Sequence, residues 1–173
     1  VMVCEGKWPI APISDRPHVP GIWRNGRTVE APSAPLEYTI DDADGGRPKV
    51  MYYETAIPVM RTDLAELLTS LGVTNLQLFP AQLKAAVSGE LHTNYVAYNI
   101  VGNIACADLS HSAAFGGSVR GDMDFASLVI DEARAGDALM FRLAENWSAI
   151  IVHERVREAQ PLLLPTRESH AAL

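Results

Sequence analysis

The clearest pattern in this chain is an alternation of apolar and polar positions from Tyr95 to Ile104, which predicts the central strand of a sheet. One side of the alternation carries Val96, Tyr98, Ile100 and Ile104. The opposite side carries Asn99 and Asn103. A strand of this kind packs one face on an apolar core and leaves the other partly in water. Gly102 interrupts the pattern and predicts a bulge or a close backbone neighbour.

Four further apolar runs predict the strands around it. They are Leu76–Pro80, Phe125–Ile130, Leu139–Leu143 and Ala149–His153. The last two are separated by a short polar connection, which predicts a hairpin. Within the third run, alternate residues share a face and Arg142 points the other way. Because several connections are too short for helical crossovers, we expect mostly antiparallel pairing.

An amphipathic helix is predicted from Arg61 to Leu71. Its leucines at positions 64, 67, 68 and 71 form one apolar stripe. We expect Thr62 or Asp63 as the N-cap, with Glu66 completing a capping box, and Gly72 as a left-handed cap at the end. A helix this short is marginal alone, so its leucines should dock on the sheet.

These elements, with a short C-terminal helix at Glu154–Gln160, predict a single α+β domain over residues 1–173. Residues 1–48 hold seven of the 11 prolines (positions 9, 12, 17, 20, 32, 35 and 48), which predicts loops with a few short or edge strands. Residues 49–160 form the body of sheet and helix, and 161–173 form a tail. Two loops are predicted: Glu37–Arg47 from its Asp and Gly content, and Ser110–Gly121 from its small, Gly-rich residues. Ser88-Gly89 predicts a turn before the central strand, and Asp131–Asp137 predicts a turn-rich connection.

The charge balance narrows the classes of partner. A net charge of −7 disfavours a nucleic-acid binder, which must neutralise phosphates with Lys and Arg. The same acidic surface suits a basic protein partner. No apolar run approaches the ~18 residues that span a bilayer, and no secretory signal is visible, so we expect no membrane partner and a cytoplasmic location. No pattern indicates an oligomeric state.

The residues that could serve in catalysis or metal binding do not have the sequence spacings that known catalytic or metal sites use. No two of the 5 histidines have the i, i+4 spacing of a helical zinc site. Cys106, at the end of an apolar strand, is expected to behave as a small hydrophobe. Asp108 and Ser110 follow that strand and are expected to hydrogen-bond their own turn. We therefore expect no cofactor, no metal and no enzyme, and a protein that acts by binding.

The motifs, in their order along the chain, carry a family resemblance. They are Pro58-Val59, the leucine helix ending in Gly, LQLFPAQL, YVAYNIVGNIACADLSHS, FASLVID, ALMFRL and AIIVHERV. From about Leu36 to Val156 the chain resembles the eleventh numbered family of bacterial immunity proteins tied to polymorphic toxins, formerly a domain of unknown function. The positions that match the family's recurrent residues are Phe79, Pro80, Asn99, Asp108, Ser110, Phe141 and Arg142. The resemblance implies a cytoplasmic protein that binds and neutralises a cognate toxin.

Three hypotheses for the function stay open: an immunity protein that occludes a toxin, a small enzyme built around Asp108, Ser110 and His111, and a ligand-binding module. Under the first, the densest set of exposed acids is the expected contact with the toxin. That set is Glu37, Asp41, Asp42 and Asp44. These acids could imitate a phosphate backbone towards a basic toxin, or simply keep the surface soluble. Trp23 is expected to pack on the body, and the alternative is an exposed anchor for the partner.

Overall fold

The computed structural model describes residues 9–18, 23–53, 55–117, 119 and 121–159, which form an α+β fold with mostly antiparallel strands. Its largest sheet has six strands in the order β1-β2-β5-β6-β4-β3. They are β1 (Ile13–Asp15), β2 (Leu36–Ile40), β3 (Met51–Tyr52), β4 (Val59–Arg61), β5 (Leu76–Ala85) and β6 (Leu91–Ile100). The fold class predicted from the sequence is confirmed.

The two middle strands of this sheet, β5 and β6, form a hairpin paired from Leu76–Ile100 to Lys84–Leu91. The predicted central strand is therefore confirmed as central, but it begins earlier and ends at Ile100 rather than Ile104. The backbone leaves the sheet at Gly102, whose N–H donates to the Gly26 carbonyl at 2.7 Å. A side chain at Gly26 would place its Cβ 2.9 Å from the Gly102 carbonyl carbon, so the expected close backbone neighbour is present.

Apolar clusters cover both faces of the β5–β6 hairpin. One face carries Tyr95 and Ala97 of β6 together with buried residues of β5 and of the neighbouring strand β2, and Trp23 packs against this face. The other carries Tyr98 and Ile100 and packs against the first helix. The sequence predicted water on the Asn99 side, and this is wrong: Asn99 has 0% exposure, because the proline-rich segment after Trp23 lies over it.

The predicted amphipathic helix is α1 (Thr62–Ser70), and it docks on the sheet through Leu64, Ala65 and Leu68. Leu67 is only half-buried, so the apolar stripe is rotated from the one the leucine spacing suggested. The expected capping box is absent, since Arg61 is the N-cap and makes no side-chain cap. Asp63 instead pairs with the Arg61 guanidinium, which holds the pKa of that carboxyl below its ordinary value. Gly72 has φ +97, as its predicted left-handed role requires.

The first third of the chain contributes more to the sheet than the proline content suggested. Strand β1 lies at the edge, as expected, but β2 is an inner strand that pairs parallel with β5 from Leu36–Ala81 to Ile40–Ala85. Pro80 lies just before that pairing begins, which explains how a proline fits in a central strand.

The described residues also form two smaller sheets. One joins β7 (Asn103–Ile104), β10 (Met140–Leu143) and β11 (Ile150–Val152), so the predicted hairpin near the C-terminus is confirmed. The other pairs β8 (Ala113–Gly116) with β9 (Met123–Ser127). The loop predicted from Ser110 to Gly121 therefore contains a strand at Ala113–Gly116, because exposed, small residues still pair across a hairpin.

Two short helices follow these strands: α2 (Glu132–Ala135) and α3 (Glu154–Ala159). The sequence predicted only a turn at the first and the helix Glu154–Gln160 at the second; Gln160 and the tail 161–173 lie outside the described residues. No helix among the described residues is long and apolar enough to cross a membrane.

Candidate functional site

The acidic turn that follows β2 is tied to the turn between β5 and β6 by one carboxylate. The Asp42 side chain accepts hydrogen bonds from the backbone N–H groups of Val87 at 2.8 Å and Ser88 at 3.0 Å. Within its own turn, Asp42 also accepts from the Gly45 N–H through its carbonyl at 2.9 Å. Asp42 therefore holds two loops in one rigid arrangement.

Hydrogen bonding accounts for the electrostatics of Asp42. The Ser88 side chain and then the Val87 backbone N–H stabilise the carboxylate and lower the pKa of Asp42 to about 2. Asp41 uses its Oδ1 to accept from the Ala43 N–H at 3.0 Å, a contact that an amide oxygen could also make. Asp42 is thus a structural residue as well as a charge, which sequence reasoning did not anticipate.

The two turns form a surface that we call the acidic corner: residues 41–46 and 86–91. Asp41, Asp44 and Glu90 are exposed on it. None of Asp41, Asp42 and Asp44 forms an ion pair with another described residue, and Glu90 lies 3.6 Å from a ring nitrogen of His92. Asp41, Asp42 and Asp44 therefore carry negative charge that no ion pair among the described residues neutralises.

Two apolar side chains stand among these acids. Val87 is 69% exposed and Leu91 is 52% exposed, although both adjoin the central hairpin. Apolar side chains surrounded by charged ones are typical of a protein interface, where the apolar part excludes water and the charged part forms the rim. The sequence held a signal for Val87: an apolar residue directly before the predicted Ser88-Gly89 turn has no strand face on which to be buried.

Glu37 does not belong to this corner. The sequence placed it in the acidic loop, but it lies on β2, where its Oε1 accepts from the Gln82 amide at 2.7 Å. It lines an open groove of about 1200 Å³ between β2 and residues 25–35. The strand signal was hidden because Glu37 is the exposed member of an alternating pattern that begins at Leu36.

Trp23 is 2% exposed, so the alternative of an exposed partner anchor is wrong. Its ring packs edge-on against Phe79, with centroids 5.2 Å apart and planes at 72°. This contact fastens the first third of the chain to the central hairpin.

Asp108, Ser110 and His111 do come together, but in the geometry of a turn. Asp108 Oδ1 accepts from the Ser110 N–H at 3.0 Å and from the Ser110 hydroxyl at 2.5 Å. His111 Nδ1 contacts both Asp108 Oδ2 at 2.7 Å and Ser110 Oγ at 3.0 Å. A catalytic relay requires the acid on one ring nitrogen and the hydroxyl on the other, whereas one nitrogen takes both contacts in this turn. Hydrogen bonds from Ser110 and His111 lower the pKa of Asp108 to about 2.

The other positions picked out by the family resemblance lie mainly inside the fold. Phe79 and Asn99 are buried on the central hairpin, and Phe141 and Arg142 are buried on β10. Pro80 is exposed on β5. The sequence predicted that Arg142 faces away from the apolar side of its strand and into water. This is wrong, because Arg142 is 0% exposed.

Two observations bear on other kinds of site. Burial raises the pKa of the Cys106 thiol, which disfavours the nucleophilic thiolate. Among the residues the structure describes, no group of three His, Cys, Asp or Glu side chains is placed to hold a metal ion. Comparison of the chain with models of known protein families and with curated proteins finds no match.

Proposed function

We propose that this chain is an immunity protein that binds a cognate toxin in the cytoplasm and neutralises it by occlusion, with the acidic corner as the contact surface. The observation that carries the proposal is the corner itself. Asp41 and Asp44 are exposed and form no ion pair with another described residue, Val87 and Leu91 are exposed on the adjoining turn, and Asp42 joins the two turns.

The chemistry of the corner fits a partner that handles nucleic acid. Such a toxin holds phosphates with Lys and Arg, so its active site carries positive charge. The carboxylates of Asp41 and Asp44 would meet that charge and speed encounter by electrostatic steering. Charge complementarity affects the association rate more than the affinity, and the apolar contacts of Val87 and Leu91 would slow dissociation. The rigidity given by Asp42 lowers the entropy that binding costs.

The resemblance of residues Leu36 to Val156 to the immunity-protein family supports the same function. The turn geometry of Asp108, Ser110 and His111 gives the enzyme hypothesis no comparable support, since its hydroxyl and acid share one ring nitrogen. A protein that occludes needs a surface of fixed shape rather than a catalytic group.

The proposal is tested by neutralising the corner without disturbing its structure. In the variant Asp41→Asn/Asp44→Asn, the amide at position 41 can still accept from the Ala43 N–H. Asp42 is left in place because it anchors the turns. The matched control, Glu132→Gln/Asp137→Asn, removes the same charge from exposed positions in and after α2.

The toxin to use is the product of the gene beside the one that encodes this chain. We expect the corner variant to associate with it roughly two- to tenfold more slowly at low salt, with a flatter salt dependence, while the control variant keeps the wild-type rate. Co-expression of the wild-type chain should rescue growth of cells that express the toxin. A neighbouring gene product that is not toxic, or equal association rates for the corner variant and the wild type, would contradict the proposal.

A further inference from the structure

Arg142, on β10, is a fully buried cation without an acidic partner among the residues that the structure describes. It is 0% exposed, and its Nη1 donates to the Trp147 carbonyl at 2.8 Å. It forms no ion pair with the described residues. Glu145, the acid nearest to it in sequence, accepts through Oε1 from the Ala107 N–H at 3.3 Å, and its Oε2 is buried without a partner among the described residues. A buried charge normally needs a counter-charge and a full set of hydrogen bonds, so this arrangement is unusual.

The other two nitrogens of the Arg142 guanidinium indicate which kind of group could bind there. Its Nε and Nη2 are both buried, and neither has a hydrogen-bond partner within the described part of the chain. These two nitrogens form one edge of the planar guanidinium, and their N–H bonds run nearly parallel. That edge matches the two oxygens of a carboxylate, which accept both hydrogen bonds at once.

A second arginine strengthens the positive potential at this place. Arg24 donates through Nε and Nη2 to the Thr55 carbonyl and through Nη1 to Ser148 Oγ at 3.5 Å, and all of these acceptors are neutral. Burial lowers the pKa of the Arg142 guanidinium; the nearby Tyr98 hydroxyl opposes this shift, and the charge of Arg24 adds to the lowering. Two neighbouring arginines without a described acid are unusual in a chain whose net charge is −7.

We propose that the Nε–Nη2 edge of Arg142 binds the carboxylate of a small organic acid, with Arg24 as a second source of positive charge. The bound carboxylate supplies the counter-charge and the two acceptors that Arg142 lacks. Because the edge is shielded from solvent, the ligand enters by displacing a neighbouring side chain. This site is independent of the acidic corner and of the proposed toxin.

The test uses the full chain and sodium formate, the smallest carboxylate, at constant ionic strength. Nuclear magnetic resonance of the arginine Nε–H groups reports on Arg142 directly, and the Arg142→Met spectrum identifies its signal. We expect a saturable shift of this signal in the wild type, together with a saturable rise in melting temperature. Arg142→Lys, which keeps the charge and loses the two-pronged edge, should bind formate roughly tenfold more weakly.

Arg134 provides the matched control, because it is an exposed arginine already paired with Asp131 at 3.2 Å. The Arg134→Met variant should respond to formate like the wild type. An unshifted Arg142 signal in the wild type would overturn the proposal even if no Arg142 variant folds. Equal melting responses in wild type and Arg142→Met would also overturn it, and an equal saturable shift with chloride would refute the assignment to carboxylates.

Discussion

The buried Asn99 offers the sharpest test of how the first third of the chain is held to the sheet. Its Nδ2 donates to the Arg27 carbonyl and to Gln77 Oε1, both at 2.8 Å. Gln77 in turn accepts from the Val29 N–H at 2.9 Å and donates to the Val29 carbonyl at 3.1 Å. Asn99→Asp keeps the size and shape of the side chain and removes only the amide donors, so it isolates this hydrogen-bond network from packing.

The expected cost depends on the protonation of the introduced carboxyl. When protonated, it can donate one hydrogen bond in place of two, a loss of about 1 kcal/mol. When ionised, it faces two oxygen acceptors in a site without solvent, and burial should raise its pKa by about 3 units. Each unit corresponds to about 1.4 kcal/mol, so the ionised form adds about 4 kcal/mol to the cost. The variant should therefore lose about 5 kcal/mol of unfolding free energy at neutral pH.

The pH dependence follows from the direction of that shift. The pKa of the introduced carboxyl is higher in the folded than in the unfolded chain, so the extra penalty is absent below about pH 3.9 and grows as the pH rises to the folded value. The measurement is the difference between variant and wild type in urea unfolding at about pH 4 and about pH 7.5. Asn103→Asp is the control, since Asn103 is half-buried with one bond to the Asn25 carbonyl at 3.2 Å, and it should show little of this difference. An equal cost of Asn99→Asp at both pH values would refute the reasoning.

Two further predictions concern the helix and the acidic corner. Leu68→Ala should cost about 2–4 kcal/mol of unfolding free energy, whereas Leu67→Ala, at a half-buried position, should cost about 1 kcal/mol. The measurement is the urea midpoint of each variant. A lower midpoint for Leu67→Ala than for Leu68→Ala would mean that α1 docks by another face. Asp42→Ala should melt at a lower temperature than Asp44→Ala, because only Asp42 accepts from two amides of the neighbouring turn. Since the folded pKa of Asp42 is about 2, below its ordinary value, the stability it provides should be present above about pH 4 and be lost as the pH falls towards 2. A wild-type melting profile that matches that of Asp42→Ala across this range would contradict the role of Asp42.

Local patterns in the sequence were sufficient for the elements at the centre of the fold. The alternation from Tyr95 predicted the central strand, and Ser88-Gly89 predicted the turn before it, where Gly89 has φ +72. The leucine spacing and Gly72 predicted α1 and its end. These signals are readable because strand alternation, helix periodicity and positive φ are set by neighbours within a few residues.

The candidate surface was only partly predictable. Asp41, Asp42 and Asp44 were picked out by their charge, and the structure places them together in one turn. The link from Asp42 to Ser88 spans 46 residues of sequence, and no local pattern indicates it. Glu37 was assigned to the loop because its charge outweighed the weak strand pattern around it.

What the sequence determined by itself is therefore the α+β class, the central strand and the identity of the exposed acids. The tertiary structure alone decided which polar residues are buried. Asn99 and Arg142 lie on strand faces that alternation assigns to water, and both are buried. Asn99 is buried because the distant segment around Arg27 packs over it. The physical reason is that alternation specifies two opposite faces of a strand, whereas burial of a face depends on what the rest of the chain can place against it.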